Sequence, residues 1–296
     1  MRPICRFACL SLLYLLTFST SKAQQGGVPT IMQLEDSLVK YADSMYGGFL
    51  PDTRIAYSER FAKQLVQALK TPDSWNYKFD KLNTKINILY PDDQAFRIFN
   101  WEIAPADEAR RYYGAIQLPS STLKLHGLVD YSQDFGKAAE DTVLTGGKWY
   151  GALYYRIHRE TVEGQPVYIL FGRNSANRQS NRKLLEPLHF EAAGPVFGAP
   201  VFNVRSTNRP TARVNRFMLE FKKDIQVGLN WDPNQRVIYF DNLVSQVNDP
   251  ARKYTYVPSG QIDGFRFNGT GWDFVQDIVR MVPRKDGEAP IGESME

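Results

Sequence analysis

The stretch KINILYPDDQAFRIFNWE, residues 85–102, is where the chain changes from a helical pattern to a strand pattern. On either side of Pro91, side chains alternate with a period of two, which predicts two antiparallel strands. Pro91 has the φ that the second position of a type I turn requires, and Asp92 and Asp93 suit the positions that follow. We therefore interpret the adjacent acids as a turn rather than as a catalytic or metal-binding pair.

Two helices are predicted upstream of this hairpin. Thr30 and Gln33 match a capping box, and apolar residues then recur every three or four positions as far as Gly47. A second apolar stripe begins near Thr53 and stops before Pro72. We expect both stripes to pack against the rest of the domain, and a partner-binding helix is the alternative.

Downstream of the hairpin, strand-like runs alternate with turn sequences. Turns are predicted at Glu163-Gly164, Asp232-Pro233-Asn234, Pro258-Ser259-Gly260 and Asn268-Gly269. Short turns imply antiparallel pairing, because parallel strands need long crossover connections. The predicted fold class is therefore α+β, with two N-terminal helices within residues 30–70. A large, mainly antiparallel β-sheet region built from hairpins follows over residues 84–282, and residues 24–282 are expected to form a single domain.

Both ends of the chain are expected to lie outside this domain. Arg2 and Arg6 begin an N-terminal segment whose apolar run is too short to span a bilayer and which ends with small residues at Ala23. This arrangement is typical of a signal peptide over residues 1–23, so we expect a bacterial exported protein, periplasmic or extracellular and not membrane-spanning after cleavage. Residues 283–296 are polar and aperiodic, which predicts a disordered tail.

Charge and cysteine content exclude several classes of protein. Three of the 36 basic side chains, but none of the 32 acidic ones, lie in the predicted leader, so the remaining chain is almost neutral. It lacks the clustered positive charge that nucleic-acid binding requires. Cys5 and Cys9 also lie in the leader, which excludes disulfide and thiol chemistry after cleavage. Nucleophile-elbow, zinc-protease and phosphate-loop motifs do not occur, and we predict no cofactor.

A metal site is one possible reading of the two His-x-Glu pairs. His158 with Glu160, and His189 with Glu191, have the two-residue spacing that places both side chains on one face of a strand. Arg156 would share the face of the first pair and would repel a cation. We therefore interpret these residues as cross-strand ion pairs on a solvent-facing surface, and we predict no metal.

A carboxylate pair is a second possible site. Asp241 follows VIYF and Asp263 lies in QIDGF, both near predicted strand ends, where acids can serve a glycosidase-like mechanism. Acids at strand ends more often bind turn amides, and we expect that role here. The catalytic residues stay unassigned, and a glycan-processing hydrolase is the alternative function.

The basic segment FGRNSANRQSNRK, residues 171–183, contains four basic side chains and no acid. Arginine forks and asparagine amides recognise phosphate, carboxylate and sugar groups. Pro187 indicates an edge strand or bulge, so we expect this segment to be a loop at an accessible rim. The candidate binding residues are Arg173, Asn174, Arg178 and Arg182.

The predicted function is a non-enzymatic binding domain of the cell envelope. Its partner would be an anionic glycan or another envelope component recognised by the basic segment. A purely structural envelope role is a third hypothesis, and it would require neither a pocket nor a charged patch.

Eight segments, taken in order, resemble an uncharacterised family of exported bacterial proteins with no assigned function. They are DDQAFRIFNWE, WYGALYYRI, YILFG, KLLEPLHF, FGAPVF, RFMLEF, VIYFDNL and VPSGQIDGF. The resemblance covers roughly residues 70–280, although relatives carry tryptophan and aspartate where this chain has Arg173 and Asn174. It implies export and a single domain, and it implies no activity, cofactor or catalytic residue.

Overall fold

The computed structural model describes residues 28–106, 109–175, 177–206 and 209–278. The predicted leader and the predicted tail lie outside these ranges. Among the described residues, no helix has both the length and the apolar composition needed to cross a bilayer. Two helices followed by three mainly antiparallel sheets confirm the predicted α+β class.

The two helices are α1, Ile31–Gly47, and α2, Pro51–Leu69. The capping box is confirmed, because Gln33 N–H donates to Thr30 Oγ1 at 3.3 Å and Thr30 N–H donates to Gln33 Oε1 at 2.9 Å. Helix α2 begins slightly before the predicted start, at Pro51, whose fixed φ suits the first helical position. The apolar stripes of both helices pack on the first sheet, as predicted.

The first sheet has the strand order β1-β2-β3-β4-β5 and is antiparallel except for the β4–β5 pair. Its strands are β1 Asn87–Leu89, β2 Arg97–Ala106, β3 Ala109–Gln117, β4 Leu125–Asp130 and β5 Lys148–Trp149. A short 3-10 helix, Gly136–Asp141, lies between β4 and β5.

The predicted turn at Pro91 is confirmed. Gln94 N–H donates to Pro91 O at 3.0 Å, and β1 pairs antiparallel with β2. Asp93 accepts a backbone N–H within the turn and also accepts from the Tyr168 hydroxyl at 3.0 Å. The guanidinium of Arg159 lies 2.8 Å from the same carboxylate. This turn acid therefore also ties the first sheet to the second.

The second and third sheets are formed by the rest of the chain. The second has the order β12-β8-β7-β6, with β9 also paired to β8, and its strands are β6 Leu153–Val162, β7 Gln165–Asn174, β8 Ser180–Glu191, β9 Gly194–Phe197 and β12 Phe217–Lys222. The third has the order β11-β10-β16-β15-β14-β13, and its strands are β10 Phe202–Ser206, β11 Arg209–Val214, β13 Leu229–Asp232, β14 Val237–Ser245, β15 Tyr256–Phe267 and β16 Trp272–Val275.

The helices and sheets stack as four layers, and the second sheet is covered on both faces. Along β7, Tyr168 and Leu170 pack toward the first sheet, whereas Ile169 and Phe171 pack toward the third. Strands buried on both faces read as continuous apolar runs rather than as alternating ones. This explains the sequence VYILF in β7.

One predicted turn, at residues 258–260, is wrong, because these residues lie inside β15. Asp241 pairs with Ile262, but Leu243 pairs with Pro258, so one residue of β14 faces three of β15. The extra residues form a β-bulge, and the glycine among them has a φ of 92°. The Pro-Ser-Gly sequence bends this strand without reversing it.

The chain leaves the first sheet after β5, which ends at Trp149, and enters the second sheet at β6, which begins at Leu153. A bulge next to Tyr154 then shifts the alternation along β6 by one residue. Tyr154 packs between the first and second sheets, whereas His158 stacks on Trp231 of the third. The solvent-facing surface predicted for His158 and Glu160 is therefore wrong.

A fully buried ion pair joins the second sheet to the connection between β4 and β5. Arg216, directly before β12, donates from Nε to Glu186 of β8 at 2.7 Å, and both side chains are fully buried. Arg216 also donates to the backbone oxygen of Ala139. Burial, followed by the charge of Glu186, raises the pKa of Tyr154, whose hydroxyl donates to the same carboxylate. Each buried charge is thus compensated by the other.

We expect the loss of one member of this pair to destabilise the fold strongly. Arg216→Met leaves Glu186 buried without its cation and should lower the free energy of unfolding by about 3–5 kcal/mol. The matched variant Arg252→Met removes a pair with Asp249 in which both side chains are exposed, and should cost at most about 1 kcal/mol. Urea denaturation followed by circular dichroism measures both losses. Equal losses would contradict the importance of the buried pair.

Glycine 151 provides a second test of the packing. A Cβ added to Gly151, at φ 72°, would lie 1.9 Å from Asp130 Oδ1, whereas Gly146, at φ 64°, has open space. The Asp130 carboxylate accepts the backbone N–H groups of Tyr112 and Ser132 and cannot move without losing them. Alanine at either glycine carries a left-handed cost of about 1–2 kcal/mol. We expect Gly151→Ala to lower the free energy of unfolding by about 2 kcal/mol more than Gly146→Ala in denaturant titrations. Similar losses would show that the Asp130 side chain can move away at little cost.

Candidate functional site

A cleft of about 950 Å³ lies beside β12, between the second and third sheets. Residues 217–220 of β12 form one wall, and residues 240–243 of β14 form the other. Ala139 and Glu140 close one end, and the loop between β14 and β15 lies over the cleft. The cleft thus collects side chains from widely separated parts of the chain.

An ion pair between neighbouring strands forms part of the β12 wall. Arg182 of β8 donates from Nε to Glu220 Oε2 at 3.0 Å and from Nη1 to the Tyr150 hydroxyl at 2.7 Å. The Ser180 hydroxyl donates to the other oxygen of Glu220 at 2.6 Å. The positive charge of Arg182 is therefore balanced within the wall.

Asp241 and Asp263 both line the cleft, at the bulge between β14 and β15. Asp241 accepts the backbone N–H of Gly228 at 2.6 Å. Asp263 is buried and accepts from the Asn242 side-chain amide at 2.6 Å, from a second side-chain amide and from a backbone N–H. The structure brings the two sequence candidates into one cleft, but both lie inside strands, so their predicted position at strand ends is wrong. Each nevertheless accepts amide N–H groups, as expected.

Glu140 has an unusual environment at the end of the cleft. It lies in the 3-10 helix Gly136–Asp141, and its backbone oxygen accepts the N–H groups of Asn215 at 2.8 Å and Arg216 at 3.1 Å. Burial raises the pKa of its carboxyl group, although a hydrogen bond from the Met218 N–H acts in the opposite direction. Such a carboxyl keeps its proton to higher pH than an exposed one.

Aromatic rings cover much of the remaining surface of the cleft. The aromatic lining residues are Phe217, Phe240, Tyr254, Tyr256 and Phe274. The rings of Phe217 and Phe240 lie 4.8 Å apart, and the Lys253 ammonium lies 4.3 Å above the Tyr256 ring. Apolar surface interrupted by a few polar groups is the usual lining of a ligand site.

The charged side chains that line the cleft are mostly acidic. The acids are Glu140, Glu220, Asp241 and Asp263, and the bases are Arg182 and Lys253. Because one sign of charge predominates in a concave surface with apolar walls, its field favours ligands of the opposite sign. The cleft is therefore better suited to a cationic or neutral ligand than to an anion.

The basic segment is mostly strand rather than the predicted loop. Strand β7 continues to Asn174 and β8 begins at Ser180, so only residues 175–179 connect them. The prediction of a long loop at an accessible rim is therefore wrong in its extent. Strand pairing, rather than solvent, determines where most of these side chains point.

The four predicted binding residues have different surroundings. Arg173 donates to Glu102 of the first sheet at 3.0 Å, and Asn174 is buried with its amide donating to a backbone oxygen. Arg178 is exposed in the short connection. Asn174 and Arg182 lie opposite each other on β7 and β8, and of the four residues Arg182 lines the cleft.

The two His-Glu pairs are separate in the structure. His158 lies 3.1 Å from Glu160 and stacks on Trp231 at 3.8 Å, and burial lowers the pKa of His158. His189 lies 3.5 Å from Glu191. Within the described part of the chain, no three His, Cys, Asp or Glu side chains are grouped so that they could hold a metal ion.

Three charged residues of the cleft were missed by the sequence reasoning. Glu220 could have been found, because an acid inside the apolar strand sequence RFMLEF needs a partner when it is partly buried. Glu140 and Lys253 lie in short 3-10 helices whose placement depends on distant contacts. No local pattern marks them.

Comparison with known proteins adds no assignment. No protein family, no curated protein and no solved structure matches the chain. The family resemblance inferred from the eight segments stays a prediction.

The raised pKa of Glu140 predicts a pH-dependent effect on stability. Above the ordinary carboxyl pKa, the folded chain holds a proton at Glu140 that the unfolded chain has lost, so stability falls as the pH rises through this range. Glu140→Gln cannot ionise and should escape this loss. We therefore expect Glu140→Gln to be more stable, relative to the natural chain, near pH 7 than near pH 4.

Urea denaturation at the two pH values checks this prediction. Glu163→Gln, in the exposed turn between β6 and β7, is the matched control for the removal of one carboxyl group. If both variants respond to pH in the same way, the effect does not come from the burial of Glu140.

Proposed function

We propose that this protein is a ligand-binding domain whose binding site is the cleft beside β12. The observation that supports this most directly is the convergence of charged side chains from separate elements on a concave, partly aromatic surface. The predominance of carboxyl groups favours a ligand with positive charge or with many neutral hydrogen-bond donors. Export to the cell envelope stays a prediction from residues 1–23.

The anionic glycan expected from the basic segment has less support. Arg173 and Arg182 would have to leave Glu102 and Glu220 before they could bind an anion fully. The gain from a new ion pair would be offset by the loss of an existing one, as is usual for exchanged pairs at a protein surface.

The cleft offers three kinds of contact to a ligand. Tyr254 and Tyr256 contribute aromatic rings, which suit sugar rings or aliphatic chains. Asp241 and Glu140 offer carboxyl oxygens to ammonium or hydroxyl donors. The Arg182–Glu220 pair holds the wall in place through hydrogen bonds of 3.0 Å and less.

Isothermal titration calorimetry with three hexasaccharides tests the proposal. A glucosamine hexamer is cationic, an N-acetylglucosamine hexamer is neutral and a galacturonic acid hexamer is anionic, at similar size. We expect binding to weaken in that order. The double variant Glu140→Gln/Asp241→Asn should weaken binding of the cationic hexamer by roughly fivefold or more, as expected for a loss of about 1 kcal/mol.

Glu191→Gln is the control, because it removes an exposed acid outside the cleft lining. The opposite result would be that the galacturonic acid hexamer binds most tightly and that the triple variant Arg173→Ala/Arg178→Ala/Arg182→Ala loses this binding. That result would replace the cleft with the basic segment as the binding site. High salt should weaken binding of the glucosamine hexamer more than binding of the neutral hexamer.

A glycan-processing hydrolase is the second candidate, and Glu140 is the observation that favours it. Glycosidases pair a protonated acid with an ionised carboxylate, and burial shifts the pKa of Glu140 in the direction that an acid requires. Asp241 is then the candidate partner, because Asp263 accepts three N–H groups and is almost fully buried. Release of reducing ends from the hexasaccharides, abolished by Glu140→Gln and not by Glu191→Gln, would support this activity.

A further inference from the structure

The β12 wall meets the cleft along the edge of the strand. Residues 217–220 are consecutive, and all four line the cleft. Successive side chains of a strand point to opposite faces, so a surface that touches four in a row lies along the strand edge. Strand β12 is the end of its sheet, and no described strand pairs with its other side.

The direction of the backbone groups follows from the pairing with β8. Lys223 N–H donates to Gln179 O at 2.9 Å, so the backbone N–H and C=O groups of residue 223 point toward β8. Because this direction alternates along a strand, the other odd-numbered residues of β12 also point their backbone groups toward β8. Residues of even number, including Met218 and Glu220, turn theirs toward the cleft. Met218 and Glu140 both line the cleft, so a carboxyl group lies near this edge of β12.

The chemistry of the cleft defines the ligand further. A strand beside β12 would place alternate side chains against the aromatic rings of the lining and against the loop over the cleft. Four carboxyl groups, against Arg182 and Lys253, complement basic side chains. A sugar chain could use the same carboxyl groups, but it has no repeating N–H and C=O groups that match a strand edge.

We infer that the ligand is an extended polypeptide segment with basic side chains, which adds as a strand to the unpaired edge of β12. This inference rests on the proposed function of the cleft. Main-chain hydrogen bonds to Glu220 would give affinity, and the acids of the cleft would select basic sequences.

The test uses the full chain and the peptide acetyl-Lys-Val-Lys-Val-Lys-Val-amide. Its matched control is the same peptide with alternate backbone nitrogens methylated, which keeps every charge and side chain but removes the N–H donors. We expect the methylated peptide to bind roughly tenfold more weakly or worse in calorimetry. Hydrogen exchange should show slower exchange of the Glu220 amide with the unmodified peptide.

The outcomes separate this inference from the proposed function. If the glucosamine hexamer binds in the cleft and the peptide does not, strand addition is wrong and the binding function stands. If neither binds, both are wrong. Equal binding of the two peptides, with no change at the Glu220 amide, would mean that charge alone attracts them and would overturn strand addition.

Discussion

The position of the cleft depends on the buried ion pair between Arg216 and Glu186. Two desolvated charges are tolerated only when they compensate each other and their remaining polar atoms find partners. Arg216 also bonds to backbone oxygens of residues 139–142, which holds that segment against the second sheet. Glu140 belongs to the same segment, so a charge pair in the core determines where the acid at the end of the cleft lies.

The order of the layers restricts where a ligand could enter. The second sheet is covered by the first on one face and by the third on the other, which leaves its edges for binding. A free strand edge invites uncontrolled pairing unless charges or other elements protect it. Here Glu140, the charged Glu220 and the loop between β14 and β15 provide that protection. The features that guard the edge of β12 are also those that shape the cleft.

Local patterns predicted much of the fold but little of the site. The cap of α1 and the turn at Pro91 depend on residues only a few positions apart, so periodicity and turn chemistry were sufficient. The basic segment has the sequence pattern of an anion site only because its acidic partners lie on other strands. Arg173 bonds to Glu102, 71 positions away, and Arg182 bonds to Glu220, 38 positions away. Contacts of this range follow from sheet order, which the local pattern does not contain.

The local sequence pattern does not predict the bulges in β6 and β15 either, and both contribute to the cleft or its support. The bulge in β6 turns Tyr154 toward Glu186, and the bulge in β15 brings Asn242 beside Asp263 in the lining. A bulge interrupts the hydrogen-bond ladder, and the buried carboxyl of Glu140 carries a desolvation cost. Natural proteins depart from locally favourable choices mainly where function requires it. The β15 bulge and Glu140 both lie at the cleft, and the β6 bulge on the opposite edge strand supports it through the contact between Tyr154 and Glu186, so these departures favour the cleft over the basic segment as the functional surface.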